Sequence, residues 1–400
     1  MKYDYLSKYY YKEPDIYERE YQERFDKAIK LNFDIGGNQA FYTEMVDIYK
    51  SLLDIQRINE RIDHMTDKDH GLPVIAQAQY TNRTLIDEIV LTNDIEGVHS
   101  TRREINAILS DLEKQDKRNR FTGLVRKYAM LSKREPLVLN SCRDVRNLYD
   151  ELFYDEIKTA DPDDLPDGKL FRKDTVTVVD SRQKVIHRGL SPESLIIEAM
   201  DKALVIMNDE STESMIRTAL FHYMFGYIHP FYEGNGRMSR LISSYMLTKT
   251  LNPLVAFKLS YVVKENLEQY YKAFKVCNDK RNRGDLTPFI LTFTDIVRKA
   301  CTEVYEDLQT RIETLISLKE RITDYTNDAH MKDLYYILLQ ASLYSESGIS
   351  IEELLNITNV TRPTLLKRLK EVKGNGLLIE EKQGKYKYYM LDIDGFLQPA

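Results

Sequence analysis

Between His229 and Arg240 the chain reads HPFYEGNGRMSR. One imidazole, one carboxylate, two glycines around an asparagine and two guanidinium groups fall in twelve residues. Gly234 and Gly236 let the backbone approach a ligand closely. A glycine-rich turn that feeds a helix N-terminus gathers free amides, which suits a phosphate. Arg237 and Arg240 are three apart and share a helix face. Helical side chains lean toward the N-terminus, so both guanidinium groups reach back over the same anion nest with bidentate geometry. Glu233 fits beside an anion site if Mg²⁺ bridges it to phosphates. His229, on the other lip, is placed to accept a proton from a hydroxyl. The stretch reads as a base, a metal carboxylate and a phosphate cradle. That is phosphate-transfer chemistry without a Walker loop, since no GxxxxGK[ST] occurs.

Two helices must position this turn. Ile216, Leu220, Met224 and Tyr227 pattern the first, which should end near His229 because Pro230 disfavours helical geometry before it. Met238, Leu241, Ile242 and Tyr245 pattern the second. Helical periodicity dominates the rest. Residues 1 to about 70 read as helical, GLPVIAQ at 71–77 as a break, and roughly 78–132 as a long helical stretch. TADPDDLPDGKLFRKD at 159–174 reads as a loop. TVTVVDSRQKVIHRG reads as a β-hairpin, with runs Val176–Val179 and Val185–Ile186 around the polar turn DSRQ. An amphipathic helix follows Val304, Leu308, Ile312, Leu315, Leu318 and Ile322, and TDYTNDAH marks a boundary. After Met331 come three short helices and a β-ribbon, the order of a winged helix-turn-helix.

The chain has 400 residues, so two or three domains are expected. Its charge of -6 offers no general attraction to nucleic acid or acidic membranes. Cys142, Cys277 and Cys301 lack metal-ligand spacing and suit a reducing compartment. No run approaches a membrane span and no signal-peptide pattern opens the chain, so a cytoplasmic protein without a membrane partner is expected.

HPFYEGNGRMSR resembles the signature of the Fic (filamentation-induced-by-cAMP) family. The resemblance implies a mainly α fold: a Fic-type helical core with a β-hairpin flap, here joined to a C-terminal winged helix-turn-helix domain. The implied layout is an N-terminal helical extension at 1–75, a Fic domain at 76–325 and the winged unit at 330–400. The implied activity is protein adenylylation, the transfer of AMP from ATP to a Ser, Thr or Tyr hydroxyl of a target protein. His229 would be the base and Glu233 the Mg²⁺ ligand. Gly234, Asn235 and Gly236 would line the anion hole, Arg237 would bind the α/β phosphates and Arg240 the γ-phosphate. Many members carry Asp where this chain has Glu233, which bears on metal preference and on reversal. The flap at 175–186, with Val176, Thr177, Val178 and Val179, would pair with the target by strand addition. Tyr270 and Tyr271 would pack near the adenine or in the core.

TNDIEGVHSTRREI at 92–105 resembles the family's inhibitory motif, Ser/Thr-x-x-x-Glu-Gly/Asn. The resemblance implies that Glu96 pairs with Arg240 and removes the γ-phosphate site. In some relatives the same glutamate supports removal of AMP.

In the third helix of the C-terminal unit, Arg362, Lys367, Arg368, Lys370 and Lys373 stand against Glu371 alone, while residues 330–400 carry nine basic and nine acidic side chains. A DNA contact through 360–390 is one expectation. A winged helix used for target docking, or for dimerisation into a homodimer, is the other. Three further functions compete with the adenylyltransferase. One is a DNA-binding regulator with a nucleotide-sensing Fic core. Another is a metal hydrolase using His222, His229 and Glu233, although His222 lies in an apolar stretch. The last is a phosphotransferase or phosphocholine transferase.

Overall fold

The computed structural model describes residues 3–67, 69–112, 119–179, 185–383 and 386–397. The described residues are mainly helical, with three small antiparallel sheets. Two compact units form: residues 1–59 with 87–302, and residues 60–86 with 303–400.

The first unit opens with α1 (Leu6–Lys12) and α2 (Pro14–Lys27). The helical expectation for residues 1–70 then fails, because β1 (Ile29–Ile35) pairs with β2 (Asn38–Tyr42) as a hairpin. The physical reason is a period of two: Leu31, Phe33 and Ile35 are buried and their neighbours are not. Gly36 and Gly37 take φ of 58° and 85°, the left-handed geometry of a tight hairpin turn. Next come α3 (Val46–Met65) and α4 (Val74–Ile95), of which residues 60–86 belong to the second unit.

The long helix expected over 78–132 is in fact interrupted. Gly97, at φ 74°, follows the end of α4. The Thr101 side chain, accepting from the Glu104 amide, then caps α5 (Arg102–Ser110). A separate α6 (Thr122–Ser132) follows. Ser141 and Asp144 close a capping box on α7 (Cys142–Ala160).

The expected hairpin is β3 (Thr177–Val179) against β4 (Val185–Arg188), with Thr177 opposite Arg188 and Val178 opposite His187. Val176 precedes the strand, and its carbonyl accepts from the Gly189 amide at 2.9 Å. The DSRQ turn lies outside the described residues. After α8 (Glu193–Asn208) comes α9 (Ser214–Ile228), which is buried on nearly every face. Such a helix can only be a core element. Against it pack α8 and α10 (Asn235–Thr248), α13 (Leu267–Asn278) through Phe274 and the start of α14 (Thr287–Glu320) through Phe289, while α11 (Pro253–Ala256) and α12 (Leu259–Glu265) lie beside α10.

The second unit holds the remainder of α14, then α15 (Ile322–Tyr325), α16 (Ala329–Tyr344), α17 (Ile351–Thr358), α18 (Arg362–Gly374) and α19 (Ile393–Leu397). Its sheet runs β5-β7-β6, from β5 (Ile349–Ser350), β6 (Leu378–Gln383) and β7 (Tyr386–Leu391). The ribbon expected from sequence therefore carries a third short strand. Pro363 sits in the first turn of α18, where its missing N–H is harmless. No helix among the described residues is long and apolar enough to cross a membrane.

Candidate active site

The chain leaves α9 at His229, which adopts φ 51° and ψ 63°. Its own N–H donates to the Phe225 carbonyl at 2.9 Å, an αL helix cap. This is an uncommon conformation for a residue with a side chain. Arg172 stabilises it from outside the motif. The fully buried Arg172 donates Nε to the His229 carbonyl at 2.8 Å and Nη2 to the Leu190 carbonyl at 2.9 Å. Nothing local in LFRKDT marks this arginine as a buried clamp.

The turn closes through Asn235. Its Oδ1 accepts from the Phe231 amide at 3.0 Å, and its Nδ2 donates to the Phe231 carbonyl at 2.8 Å. The Asn235 side chain thus holds the loop shape instead of facing a ligand. Phe231 stacks on Tyr149 of α7 at 3.7 Å. Gly234, at φ 81°, caps α10.

His229, Asn235, Gly236 and Arg240 share the wall of one cavity with Glu96, His187, Tyr270, Tyr271 and Phe274. Its volume is about 100 Å³, small beside the roughly 300–1,000 Å³ of ordinary ligand pockets. A carboxylate explains the small space. Glu96 Oε1 accepts from Arg240 Nη2 at 2.7 Å. A Cβ placed on Gly236 would lie 2.1 Å from that oxygen, so the Glu96 carboxylate rests on the glycine turn itself. Arg240 is 1% exposed and also donates Nε to Thr92 Oγ1 at 2.8 Å and Nη2 to the Thr92 carbonyl at 3.0 Å. A larger cleft of about 390 Å³ between α6 and α7 holds none of these residues.

The structure places the other expected residues differently. Arg237 is not on the cavity wall; it is buried against Glu156 and Asn93. Glu233 is solvent-exposed and does not line the cavity. Its carboxyl is nevertheless held above the usual range by local desolvation and by the nearby Asp164 carboxylate. His222 does not join His229 and Glu233. It is buried in α9, with Nδ1 2.7 Å from Ser243 Oγ and Nε2 2.7 Å from Tyr270 Oη. Beyond the expected set, His187 of β4 donates Nε2–H to the Tyr227 carbonyl at 2.7 Å and stacks on the Tyr227 ring, tying the hairpin to α9.

Burial pushes His229 down to about 4, helped by the Arg172 charge, so its imidazole is neutral near pH 7. Burial pushes His222 lower, to about 3. The unfolded value for histidine is near 6.5, so as pH falls the unfolded chain takes up a proton before the native one does. Stability is complete above pH 6.5 and declines toward pH 3. At pH 5 the fully buried His222 should remove about 2 kcal/mol, or roughly 4–8 °C of melting temperature. Melting curves at pH 7 and 5 test this: His222→Asn should shrink the difference by roughly half, His229 accounting for the rest.

The fold is similar to the crystal structure of a Fic family protein from Desulfovibrio desulfuricans G20, with a TM-score of 0.53 at 20% identity, over 88% of this chain and 97% of that one. The two share a fold of the Fic class. Residues 140–247, from just before α7 to near the end of α10, match the Fic/DOC family model. The chain therefore carries a Fic/DOC family domain. It is 26% identical over 267 residues to Protein adenylyltransferase Fic of Drosophila ananassae, covering 64% of this chain and 48% of that protein. Against the protein of the same name from Drosophila grimshawi it is 32% identical over 115 residues, 29% of this chain and 21% of that protein. The chain spans about half the length of the first of these relatives.

Proposed function

We propose that the chain is an autoinhibited protein adenylyltransferase. The observation that carries this reading is the placement of His229, Gly236 and Arg240 on one cavity wall with the Glu96 carboxylate across them. In the proposed reaction a target hydroxyl oxygen attacks the α-phosphorus of ATP. The bond to the bridging oxygen breaks and pyrophosphate leaves, while His229 takes the hydroxyl proton. Its neutral imidazole is the form that can do so. The amides at the start of α10 and the Arg240 guanidinium would receive the phosphate oxygens once Glu96 withdraws. The hairpin β3–β4, tied to the site through His187, offers its strand edge to an extended target segment. Tyr270, Tyr271 and Phe274 line the cavity and supply aromatic surface for a base.

Glu233 would hold Mg²⁺. Magnesium is commonly bound by one or two carboxylates plus substrate phosphates, and the raised carboxyl beside Asp164 is the kind of crowding that a cation relieves. When bound, the ion supplies charge neutralisation to the phosphates. The direct test is mass spectrometry of lysate incubated with ATP, Mg²⁺ and the Glu96→Gly protein. A hydroxyl-linked AMP on a target supports the reading; no adduct above the His229→Ala control overturns it.

A second reading concerns the C-terminal unit. Helix order α16-α17-α18 with the β5-β7-β6 sheet supports a winged helix-turn-helix, and α18 exposes Arg362, Lys367 and Lys370. In the wing, however, Glu380 pairs with Lys373 at 3.0 Å and Lys387 at 3.5 Å, so part of the basic charge is already neutralised. If this face binds DNA, the full chain should shift a duplex at low salt, and Lys367→Glu with Lys370→Glu should abolish the shift. No shift at low salt leaves docking to protein as the use of this unit.

A further inference from the structure

Arg237 is held by a residue outside the glycine-turn motif. Glu156, eighty-one positions earlier, lies on α7 and is 7% exposed. Both of its carboxylate oxygens lie 2.8 Å from one Arg237 nitrogen, Nη1. Asn93 Oδ1 lies 3.3 Å from the same nitrogen. Arginine and carboxylate normally pair through two nitrogens. Here one nitrogen takes three acceptors, while the buried Nε has no hydrogen-bond partner among the described residues. A buried donor without an acceptor is unfavourable, and an arriving oxygen atom is its natural complement.

The rest of α7 backs the glycine turn beside Arg237. Phe153 faces the Arg237 guanidinium at 4.6 Å from the ring centre. The same ring would lie 3.1 Å from a Cβ on Gly234. Tyr149 stacks on Phe231. Tyr149, Phe153 and Glu156 follow a helical spacing of four and three, so one face of α7 supports the whole glycine turn.

We propose that Glu156 is a positioning residue for nucleotide binding. It fixes Arg237 by Nη1 and leaves the Nε side for a phosphate oxygen. The inference rests on the adenylyltransferase reading and adds to it a residue that lies outside the glycine-turn motif.

The test uses the full chain in the Glu96→Gly background, with calorimetry of a non-hydrolysable ATP analogue and steady-state AMP transfer. Glu156→Ala should raise KM for ATP at least tenfold and change kcat less than threefold. Glu156→Gln keeps an acceptor for Nη1 and should restore KM to within threefold. If the alanine protein does not fold, Arg237→Lys decides. Lysine still reaches Glu156 but has no Nε side, so analogue affinity should fall at least tenfold with the melting temperature unchanged. A folded Glu156→Ala protein, or an Arg237→Lys protein, that binds the analogue as tightly as its parent overturns the inference. If the Glu96→Gly parent binds no analogue at all, the functional reading fails first and takes this one with it.

Discussion

Glu96→Gly is expected to raise the initial rate of AMP transfer by roughly thirty- to a hundredfold. Arg240 is 1% exposed, and Glu96 retains 27% of its side-chain surface, so the pair is screened on one side only. Truncating one member of a buried, hydrogen-bonded charge pair costs about 2–5 kcal/mol. The partial exposure of Glu96 places this pair at the lower end, about 2–3 kcal/mol, and each 1.4 kcal/mol is a tenfold change. The freed energy is that of a cation left without its anion, and a phosphate is the replacement at hand. The glycine also clears the space over Gly236, where the carboxylate now rests. KM for ATP should fall with the rise in rate. Labelled AMP incorporation checks this directly. A rate within threefold of the parent would show that the Glu96–Arg240 contact does not restrain the enzyme.

His229→Asn in the Glu96→Gly background should lower transfer by about 10²–10⁴-fold, the usual contribution of a positioned acid–base group. Asparagine is the better probe than alanine. Position 229 has φ 51°, and asparagine tolerates that geometry where alanine does not. The Arg172 hydrogen bond goes to the backbone carbonyl and survives the change. Analogue binding should therefore stay within a few-fold while the chemical step is lost. Transfer above a tenth of the parent rate would remove His229 from the role of base.

Those two positions share a property that explains what the sequence displays. His229 through Arg240 is local: its helix ends, its turn and its charges are all set within twelve residues. The Thr92–Glu96 spacing is local too, four residues across the end of α4. What holds these groups is not local. Glu156 meets Arg237 across eighty-one positions and Arg172 meets His229 across fifty-seven. Each sits among ordinary surface-like charges in the sequence, and only the fold buries it. The β1–β2 hairpin is a different kind of miss. Its alternation and its paired glycines are legible in the sequence, but a seven-residue run is short beside the weakly patterned helical stretches around it. The break at Gly97 was equally visible, as a glycine in a stretch otherwise suited to helix.

Glu88 is fully buried on α4, one turn before Thr92, and accepts from the Ser260 amide at 2.8 Å and from Ser260 Oγ at 2.6 Å. It acts as a rivet. This contact fastens α4 to α12 at Glu88, and Asp94 pairs with Lys264 of α12 further along; beyond the helix end lie the exposed Gly97 and His99. On the proposed reading, an agent that withdraws Glu96 therefore has the two turns after Glu88 to work with. It would have to break the Asp94–Lys264 pair and the Thr92 contacts to Arg240, but it would not need to swing the helix as a whole.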